Sequence, residues 1–328
     1  MALLDSRDCR YGHHPPKLVA DERMAHRFLL VDVFTEHAFS GNQLAVFCDV
    51  DGISPQQMQT FARELNFSET VFVLPPEDEA NTARLRIFTP EAEVPFAGHP
   101  VIGSAFALEE HRPELRNDED LRFEVEVGLI QVRRYRADNG RLLQAVMNQK
   151  RPTFLSETAG ADEVAGALGI AASEILITGL PCQVVSTGLP FHIVPIGSLE
   201  AMGNLQPNPA RMQRLGEKLG VSDICAFSFE TMAADATVHA RMFAPSYGIP
   251  EDPATGSAAG CIGSYVVRHR AVPRVSLTRL VVEQGVEMGR PARLHVEVHS
   301  EDDRICSVLV GGSAVIVGEG QLYGNAPS

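Results

Sequence analysis

The chain has 328 residues, of which 45% are hydrophobic and 21% charged, and this composition is typical of a globular protein. The length favours two domains over one. A net charge of −14 argues against nucleic-acid binding, which needs clustered Lys and Arg, and no apolar run reaches the roughly 18 residues of a membrane span. The six cysteines include no C-x-x-C pair, and reduced core cysteines favour the cytoplasm.

The first half of the chain alternates short β-rich runs with two helical segments. Residues 1–26 are polar and are predicted to be an extension, disordered or derived from cloning. Ser54-Pro55 has the residue types of a helix start, and the apolar residues after it lie on one helix face. The predicted elements are strands at 27–34 and 44–48, a helix from residue 55 to 65, strands at 70–74 and 85–88, a buried helix at 101–110, and strands at 121–127 and 129–135.

The second half repeats this order of elements. We expect strands at 182–186 and 191–195, a helix at 209–219, strands at 224–229 and 238–243, a helix at 255–268, and late strands at 280–283, 292–298, 307–310 and 314–317. Strands outnumber helices, and each half has one principal helix. This order of elements predicts an α+β fold of two similar domains, 27–145 and 146–328. Each would be a barrel-like, mostly antiparallel sheet closed around a central helix.

A repeated motif supports the duplication. Arg, Phe, Pro and Pro occur at offsets 0, 2, 4 and 9 in the segments that begin at Arg86 and at Arg241. Each copy then enters a stretch of small residues that contains Ile-Gly-Ser, at 102–104 and 262–264. Two similar halves have a natural cleft between them, and a site there would take one loop from each half.

The loops after the two motifs are candidate anion-binding sites. Gly98-His99 and Gly256-Ser257 each precede a small-residue helix, whose free N–H groups and positive dipole end attract anions. Two such ends facing each other would bind a carboxylate. A Gly-Ser pair before a helix is more often only a cap. The functional interpretation is favoured here because both copies of the repeat have such a loop.

Glu69 is the candidate acid/base group, because it stands just before an apolar strand. A solvated glutamate at a strand start is the simpler alternative. Its counterpart 155 residues later is Ile224, which cannot transfer protons. If Glu69 reaches the cleft, the proton chemistry comes from one half only, and burial would raise its pKa towards neutrality.

Asp252 lies in a loop bounded by prolines, which is most often only a turn. The same loop leads directly into a helix start, so Asp252 could face His99 and fix the tautomer and charge of its imidazole. His295 and His299 could bind a metal with Glu297, but a solvated strand face is the favoured interpretation. No Walker A or G-x-G-x-x-G motif is present, so the sequence implies no cofactor and no metal.

Taken together, the chain resembles the PhzF family of phenazine biosynthesis-like proteins, which are related to diaminopimelate epimerase. The segments that carry this resemblance are Val31–Phe34 with Gly41-Asn42, Asn66-x-Ser68-Glu69-Thr70, Arg86–Pro90, Phe96–Pro100, Arg241–Gly248, Glu251–Gly260 and Glu283–Pro291. They span nearly everything after residue 26.

The resemblance implies two barrel-like domains with a site between them, and a cofactor-free isomerase that is commonly a homodimer. The phenazine enzyme isomerises trans-2,3-dihydro-3-hydroxyanthranilate by a proton shift. By analogy, Glu69 is the acid/base, and His99 and Asp252 orient the substrate and tune protonation. The carboxylate of a small substrate would be held by the backbones of Gly98, His99, Gly256 and Ser257.

Two departures bear on the reaction. Gln43 stands where relatives usually have proline, and the loops that hold a cysteine in the epimerases contain His99 and Ser257 here. Two-thiol epimerisation is therefore disfavoured. The leading hypothesis is a one-base isomerase of a small cyclic or amino carboxylic acid. Alternatives are an epimerase or racemase with a second group such as Asp252, and a non-catalytic binding protein. The sequence leaves the substrate open.

Overall fold

The computed structural model describes residues 24–157, 160–273, 275–302 and 304–324. The helices are α1 (Pro55–Leu65), α2 (Gly98–His111), α3 (Ala161–Leu168), α4 (Ser173–Leu176), α5 (Leu199–Gly203), α6 (Pro209–Leu219) and α7 (Gly256–Arg268). Short 3-10 turns occupy Pro113–Asn117 and Pro245–Tyr247. None of the helices in these ranges has the length and apolar character needed to cross a bilayer.

The strands of the first half are β1 (Met24–Val33), β2 (Asn42–Phe47), β3 (Glu69–Leu74), β4 (Ala83–Phe88), β5 (Glu93–Val94), β6 (Asp120–Val125), β7 (Gly128–Arg136) and β8 (Leu142–Gln149). Those that follow are β9 (Thr153–Glu157), β10 (Gln183–Ser186), β11 (Pro190–Pro195), β12 (Ile224–Ser228), β13 (Val238–Ala244), β14 (Ile249–Asp252), β15 (Leu277–Gln284), β16 (Ala292–Glu301), β17 (Arg304–Gly312) and β18 (Ala314–Gly324).

The two halves have the same strand order. In the first, the pairing runs β18-β1-β2-β3-β4-β6-β7-β8, and in the second it runs β9-β10-β11-β12-β13-β15-β16-β17. The pairs β2–β3, β4–β6, β11–β12 and β13–β15 are parallel, and the other pairs are antiparallel. The predicted α+β fold with two similar, mostly antiparallel halves is therefore confirmed.

One buried helix lies inside each half. Helix α2 packs against β1, β2, β3, β7, β8 and β18, and α7 packs against β10, β11, β15, β16 and β17. Both helices are buried on nearly all sides, and small residues let the strands approach them. A Cβ at Gly103 would lie 2.5 Å from Leu44, and one at Gly263 would lie 2.6 Å from Val296. The Ile-Gly-Ser repeat thus belongs to the packing of the central helices.

The amphipathic helices α1 and α6 cover the outer faces of the two sheets. Phe61 of α1 packs in a cluster with Phe72 and Phe88, and Met212 of α6 packs in one with Phe243. Both helices begin and end where the sequence predicts. Ser54 and Asn208 cap their starts directly before a proline, and Asn66 and Gly220 end them in the left-handed conformation.

The halves are joined by the antiparallel pair β8–β17 and exchange chain segments there. After β8 the chain enters β9 of the second half, and after β17 it returns through Ser313 to β18 of the first. The predicted boundary between residues 145 and 146 lies within β8, and β18 pairs with β1. Residues 24–26 of the predicted extension belong to β1, and the rest of that extension lies outside the described residues.

Candidate active site

Glu69 is the first residue of β3, at the edge of a cavity between the two halves. The cavity has a volume of about 320 Å³, and residues of both halves line it, including Glu69, His99, Asp252, Gly256 and Ser257. In register, Glu69 pairs with Leu44 at the start of the parallel β2–β3 ladder. Only 14% of its side chain is exposed. The parallel β2–β3 ladder therefore positions the carboxyl group of Glu69 at the cleft, just before β3 enters the core.

His99 is the second residue of α2 and is 96% buried, with 4% of its surface exposed. Its Nε2 lies 3.5 Å from Oε2 of Glu69, and neither atom has a hydrogen-bond partner in the described structure. Buried polar atoms without partners are uncommon in folded proteins, and each calls for an explanation. A proton on either group, or a ligand between them, would satisfy both atoms.

Asn42 connects His99 to Asp252. Its Nδ2 lies 3.3 Å from Nδ1 of His99, and it donates hydrogen bonds of 2.9 Å to Oδ1 of Asp252 and to the carbonyl of Ala254. The side-chain amide of Asn42 therefore bridges His99 and Asp252, whereas the sequence suggested that these two residues face each other directly.

The turn before Asn42 fixes the position of its side chain. Gly41 has φ = 65°, and a Cβ there would lie 2.2 Å from the carbonyl oxygen of Val33. Only glycine adopts this turn without strain. Arg290 locks it by donating to the carbonyls of Ser40 and Gly41 and to Asp32.

Asp252 ends strand β14, where the sequence suggested a loop. Its Oδ1 also accepts a hydrogen bond of 3.0 Å from Ser68, the residue before Glu69, and its Oδ2 accepts one from Thr255. Three side-chain donors therefore surround this carboxylate. Gln284 donates in turn to Thr255 and to the carbonyl of Asp252, which orients the whole turn.

The environment separates the protonation states of these three groups. Burial raises the pKa of Glu69 well above its usual range, and the charge of Asp252 raises it further. Burial also raises the pKa of Asp252 to about 6, against the opposing effect of its three donors. Because those donors favour the charged form, Asp252 ionises more readily than Glu69. Burial lowers the pKa of His99 to about 3, so its imidazole is neutral.

The N-termini of α2 and α7 meet at this cavity. A Cβ on Gly98 would lie 3.4 Å from the backbone nitrogen of Ser257 and 3.5 Å from Cα of Gly256. Neither helix has a side-chain cap or an acidic residue in its first turn, although α1, α5 and α6 are capped. Thr255 would be the cap of α7, but its hydroxyl is committed to Asp252. Two uncapped, positive helix ends converge where a carboxylate would fit.

The six residues that the sequence singled out all line one cavity. Sequence reasoning gave no role to Asn42, Ser68 and Thr255, although each stands in a motif that carries the resemblance. It also missed Asp223, which the 155-residue offset aligns with Ser68. The proposed metal alternative at His295 and His299 has no support, since no group of three candidate ligands converges in the residues described.

Comparison with known proteins adds an independent finding. The profile of a family described as phenazine biosynthesis-like proteins matches residues 31–320. The chain is 36% identical over 300 residues to trans-2,3-dihydro-3-hydroxyanthranilate isomerase of Pseudomonas aeruginosa, covering 91% of this chain and 99% of that one. It is also 36% identical to an uncharacterised isomerase of Mesorhizobium japonicum, over 90% of this chain and 98% of that one.

A solved structure has the same architecture. The chain superimposes on a phenazine biosynthesis protein of the PhzF family from Bacillus anthracis with a TM-score of 0.83 and 29% sequence identity. The match covers 91% of this chain and 99% of that one.

Proposed function

We propose that this chain, which belongs to the PhzC-PhzF family of phenazine biosynthesis-like proteins and is an isomerase, shifts a proton within a small cyclic or amino carboxylic acid. In this proposal Glu69 is the single acid/base. The observation that carries this proposal is the buried, unpartnered Oε2 of Glu69 beside two uncapped helix N-termini. The named relative from Pseudomonas aeruginosa makes trans-2,3-dihydro-3-hydroxyanthranilate the first substrate to test.

The substrate carboxylate binds at the paired helix starts. The backbone N–H groups of Gly98, His99, Gly256 and Ser257 are the donors that this proposal assigns to it. Because glycine stands at the first position of each helix, the two backbones approach closely enough to share one anion. The helix dipoles supply positive potential without Lys or Arg, which are absent from the cavity lining among the described residues.

The proton then moves through Glu69. The ionised carboxylate removes a proton from one carbon, and the electron pair of that C–H bond shifts the double bond. The carboxyl group returns the proton to a second carbon, so that Glu69 ends in its starting state. A raised pKa suits both steps, because it makes the carboxylate a stronger base and keeps the buried acid form stable.

Asp252 and His99 tune this exchange in the proposal. The negative charge of Asp252 raises the basicity of Glu69, and Asn42, Ser68 and Thr255 hold that charge in place. The neutral imidazole of His99 lies against Oε2 of Glu69 and orients it. Asp252 adjoins Glu69 through Ser68, so it does not supply a second base from the opposite face of the substrate. This arrangement favours a proton shift over epimerisation.

The test is isotope incorporation by a Glu69→Gln variant. Wild-type enzyme incubated with trans-2,3-dihydro-3-hydroxyanthranilate in D2O should turn the substrate over, and deuterium should enter the product to the extent that the proton held by Glu69 exchanges with solvent before it is returned. Glu69→Gln should reduce turnover and incorporation by about 10²- to 10⁴-fold, the usual contribution of a general acid/base. NMR spectroscopy and mass spectrometry of the product measure both quantities.

Glu126→Gln is the matched control, because Glu126 is exposed in the turn between β6 and β7. It makes the same chemical change and should leave turnover unaltered. Wild-type activity in a folded Glu69→Gln variant would contradict the assignment of the base.

We also propose that the protein is a homodimer and that it works in the cytoplasm. A homodimer and a cytoplasmic location accord with the family resemblance. Sedimentation of the purified chain would measure its oligomeric state, and fractionation of the source cells would measure its location.

A further inference from the structure

Asp223 faces Glu69's cavity from the second half of the molecule. It follows the loop after α6 and directly precedes β12, and it lines the same cavity as Glu69, His99 and Asp252. Its backbone carbonyl accepts a hydrogen bond of 2.9 Å from the N–H of His192, which fixes the strand start. The mechanism proposed above gives this carboxylate no part.

The partners of Asp223 are neutral and occupy only one of its oxygens. Oδ1 accepts hydrogen bonds from Ser222 at 3.3 Å and from Ser246 at 3.2 Å. Oδ2 accepts none from the part of the chain that the structure describes. The residue is only 9% exposed, and burial raises the pKa of its carboxyl group to about 6.

Comparison with the other buried acids makes Asp223 unusual. Besides Glu69, five Asp and Glu residues are buried in the described ranges. The three outside the cleft each pair with a basic side chain: Asp32 with Arg290, Glu109 with Arg134 and Arg136, and Glu283 with His239. The two in the cleft, Asp223 and Asp252, have no such partner among the described residues. Asp252 has three donors instead, which leaves Asp223 the less satisfied of the two.

The charged residues that line the cavity indicate what kind of group would pair with Asp223. A buried carboxylate without a cation is unfavourable, and its usual partner is an ammonium or guanidinium group. The cavity lining contains no Lys or Arg in the described ranges, so the cation must come with the ligand. The two helix starts already provide for a carboxylate. A ligand with both groups would carry no net charge into the cavity.

We propose that Asp223 is a specificity-determining residue that binds a protonated amino group of the substrate, so that the substrate is a small amino carboxylate rather than a carboxylate alone. This inference rests on the proposed function, since it takes the helix starts as the carboxylate site. The carboxylate end is held between α2 and α7, the reacting carbons lie near Glu69, and the ammonium group donates to the free Oδ2 of Asp223.

The test compares ligands that differ only in an amino group. Isothermal titration calorimetry at pH 7.5 would measure binding of cyclohexanecarboxylate and of 2-, 3- and 4-aminocyclohexanecarboxylate, each as cis and trans isomers. At least one amino compound should bind wild-type protein about tenfold more tightly than cyclohexanecarboxylate, as expected for a charged hydrogen bond. Asp223→Asn should remove that preference and leave the affinity for cyclohexanecarboxylate within about twofold.

The variant is suited to this comparison because asparagine keeps an acceptor for Ser222 and Ser246 and removes a buried charge. Thermal unfolding would confirm that it folds. Asp235→Asn is the matched control: the Asp235 side chain is 81% exposed, and the substitution makes the same charge change outside the cavity. It should retain the wild-type preference.

Three results would overturn the proposal. These are no wild-type preference for any amino compound, a preference that survives in Asp223→Asn, and a variant that loses kcat on an amino carboxylate without a change in KM, which would make Asp223 part of the chemistry. Failure of the proposed function is a separate result. It would be seen as wild-type activity in Glu69→Gln, whatever the ligands bind.

Discussion

The starts of β3 and β12 occupy equivalent places in the two halves and have opposite chemistry. Glu69 pairs with Leu44 in a parallel ladder, and Ile224 pairs with His192 in the equivalent ladder. Glu69 reaches the cleft, while Ile224 is fully buried in the apolar cluster beneath α6. One position earlier, Ser68 donates to Asp252, and its counterpart Asp223 lines the cavity with a free oxygen.

The repeated Arg and Phe residues have the same structure in both halves. Arg86 forms a bidentate pair with Glu93 and lies 5.1 Å from the ring centre of Phe88. Arg241 does the same with Glu251 and Phe243, also at 5.1 Å. Duplication therefore preserved the frame of the cleft and changed the residues that face it. The comparison shows that a symmetric scaffold can hold an asymmetric set of charges.

The largest expected effect comes from making the two strand starts alike. Ile224→Glu would bury a carboxyl group in the apolar cluster with no donor prepared for it. We expect the free energy of unfolding to fall by about 4 kcal/mol or more, as for other buried unpaired charges. Urea denaturation would measure the loss. Ile224→Val, which loses one methyl group, should cost only about 1 kcal/mol. Equal losses in the two variants would show that the site already tolerates a charge.

The Arg–Glu pairs should differ in energy although their geometry is the same. Arg241 is more deeply buried than Arg86, with 9% against 19% of the side chain exposed. Glu251→Gln leaves a buried guanidinium without its counter-charge and should lower stability by about 3 kcal/mol. Glu93→Gln, in the more solvated pair, should lower it by less than about 1 kcal/mol. A larger loss in Glu93→Gln would reverse this ranking of the two halves.

The smallest expected effect concerns the charge of His99. Its pKa is lowered from 6.5 to about 3 in the folded protein, so its contribution to stability is complete above pH 6.5 and is lost as the pH falls. The loss between pH 6.5 and pH 5 should be about 2 kcal/mol. Urea unfolding of wild type and His99→Asn at several pH values would isolate this contribution.

His299→Asn provides the control for that experiment, because 41% of the His299 side chain is exposed. It should leave the wild-type dependence on pH unchanged. If the free energy of unfolding depended on pH in the same way in His99→Asn and in wild type, His99 would take up its proton in the folded state.

Local signals made much of the fold predictable. Ser54-Pro55 predicted the start of α1, because capping depends on adjacent residues. Strand β18 was predicted only to residue 317, since its glycines and polar residues lack an apolar pattern, and pairing with β1 is what extends it to Gly324. Strands β8 and β9 were missed. Strand β8 lies between its neighbour in sequence, β7, and the distant β17, and β9 pairs with β10 beyond α3 and α4.

The site was predictable only in part. Glu69, His99 and Asp252 stand in motifs, but the bridge through Asn42 joins residues 210 positions apart, which no local pattern reveals. Asp223 lies in none of the motifs that the sequence analysis identified. Its importance follows from a comparison of buried acids, and burial is known only once the loop after α6 has been placed against the cleft.

The exchange of strands between the halves has a consequence for synthesis of the protein. The sheet that holds Glu69 and surrounds α2, the helix of His99, is completed by β18, residues 314–324, which pair with β1. On the ribosome, that half must therefore wait for residues 314–324 to emerge before its sheet is complete, and contacts so distant in sequence form slowly. A nascent chain that stops before residue 314 lacks β18, so the sheet that carries Glu69 is complete only after this segment has been made.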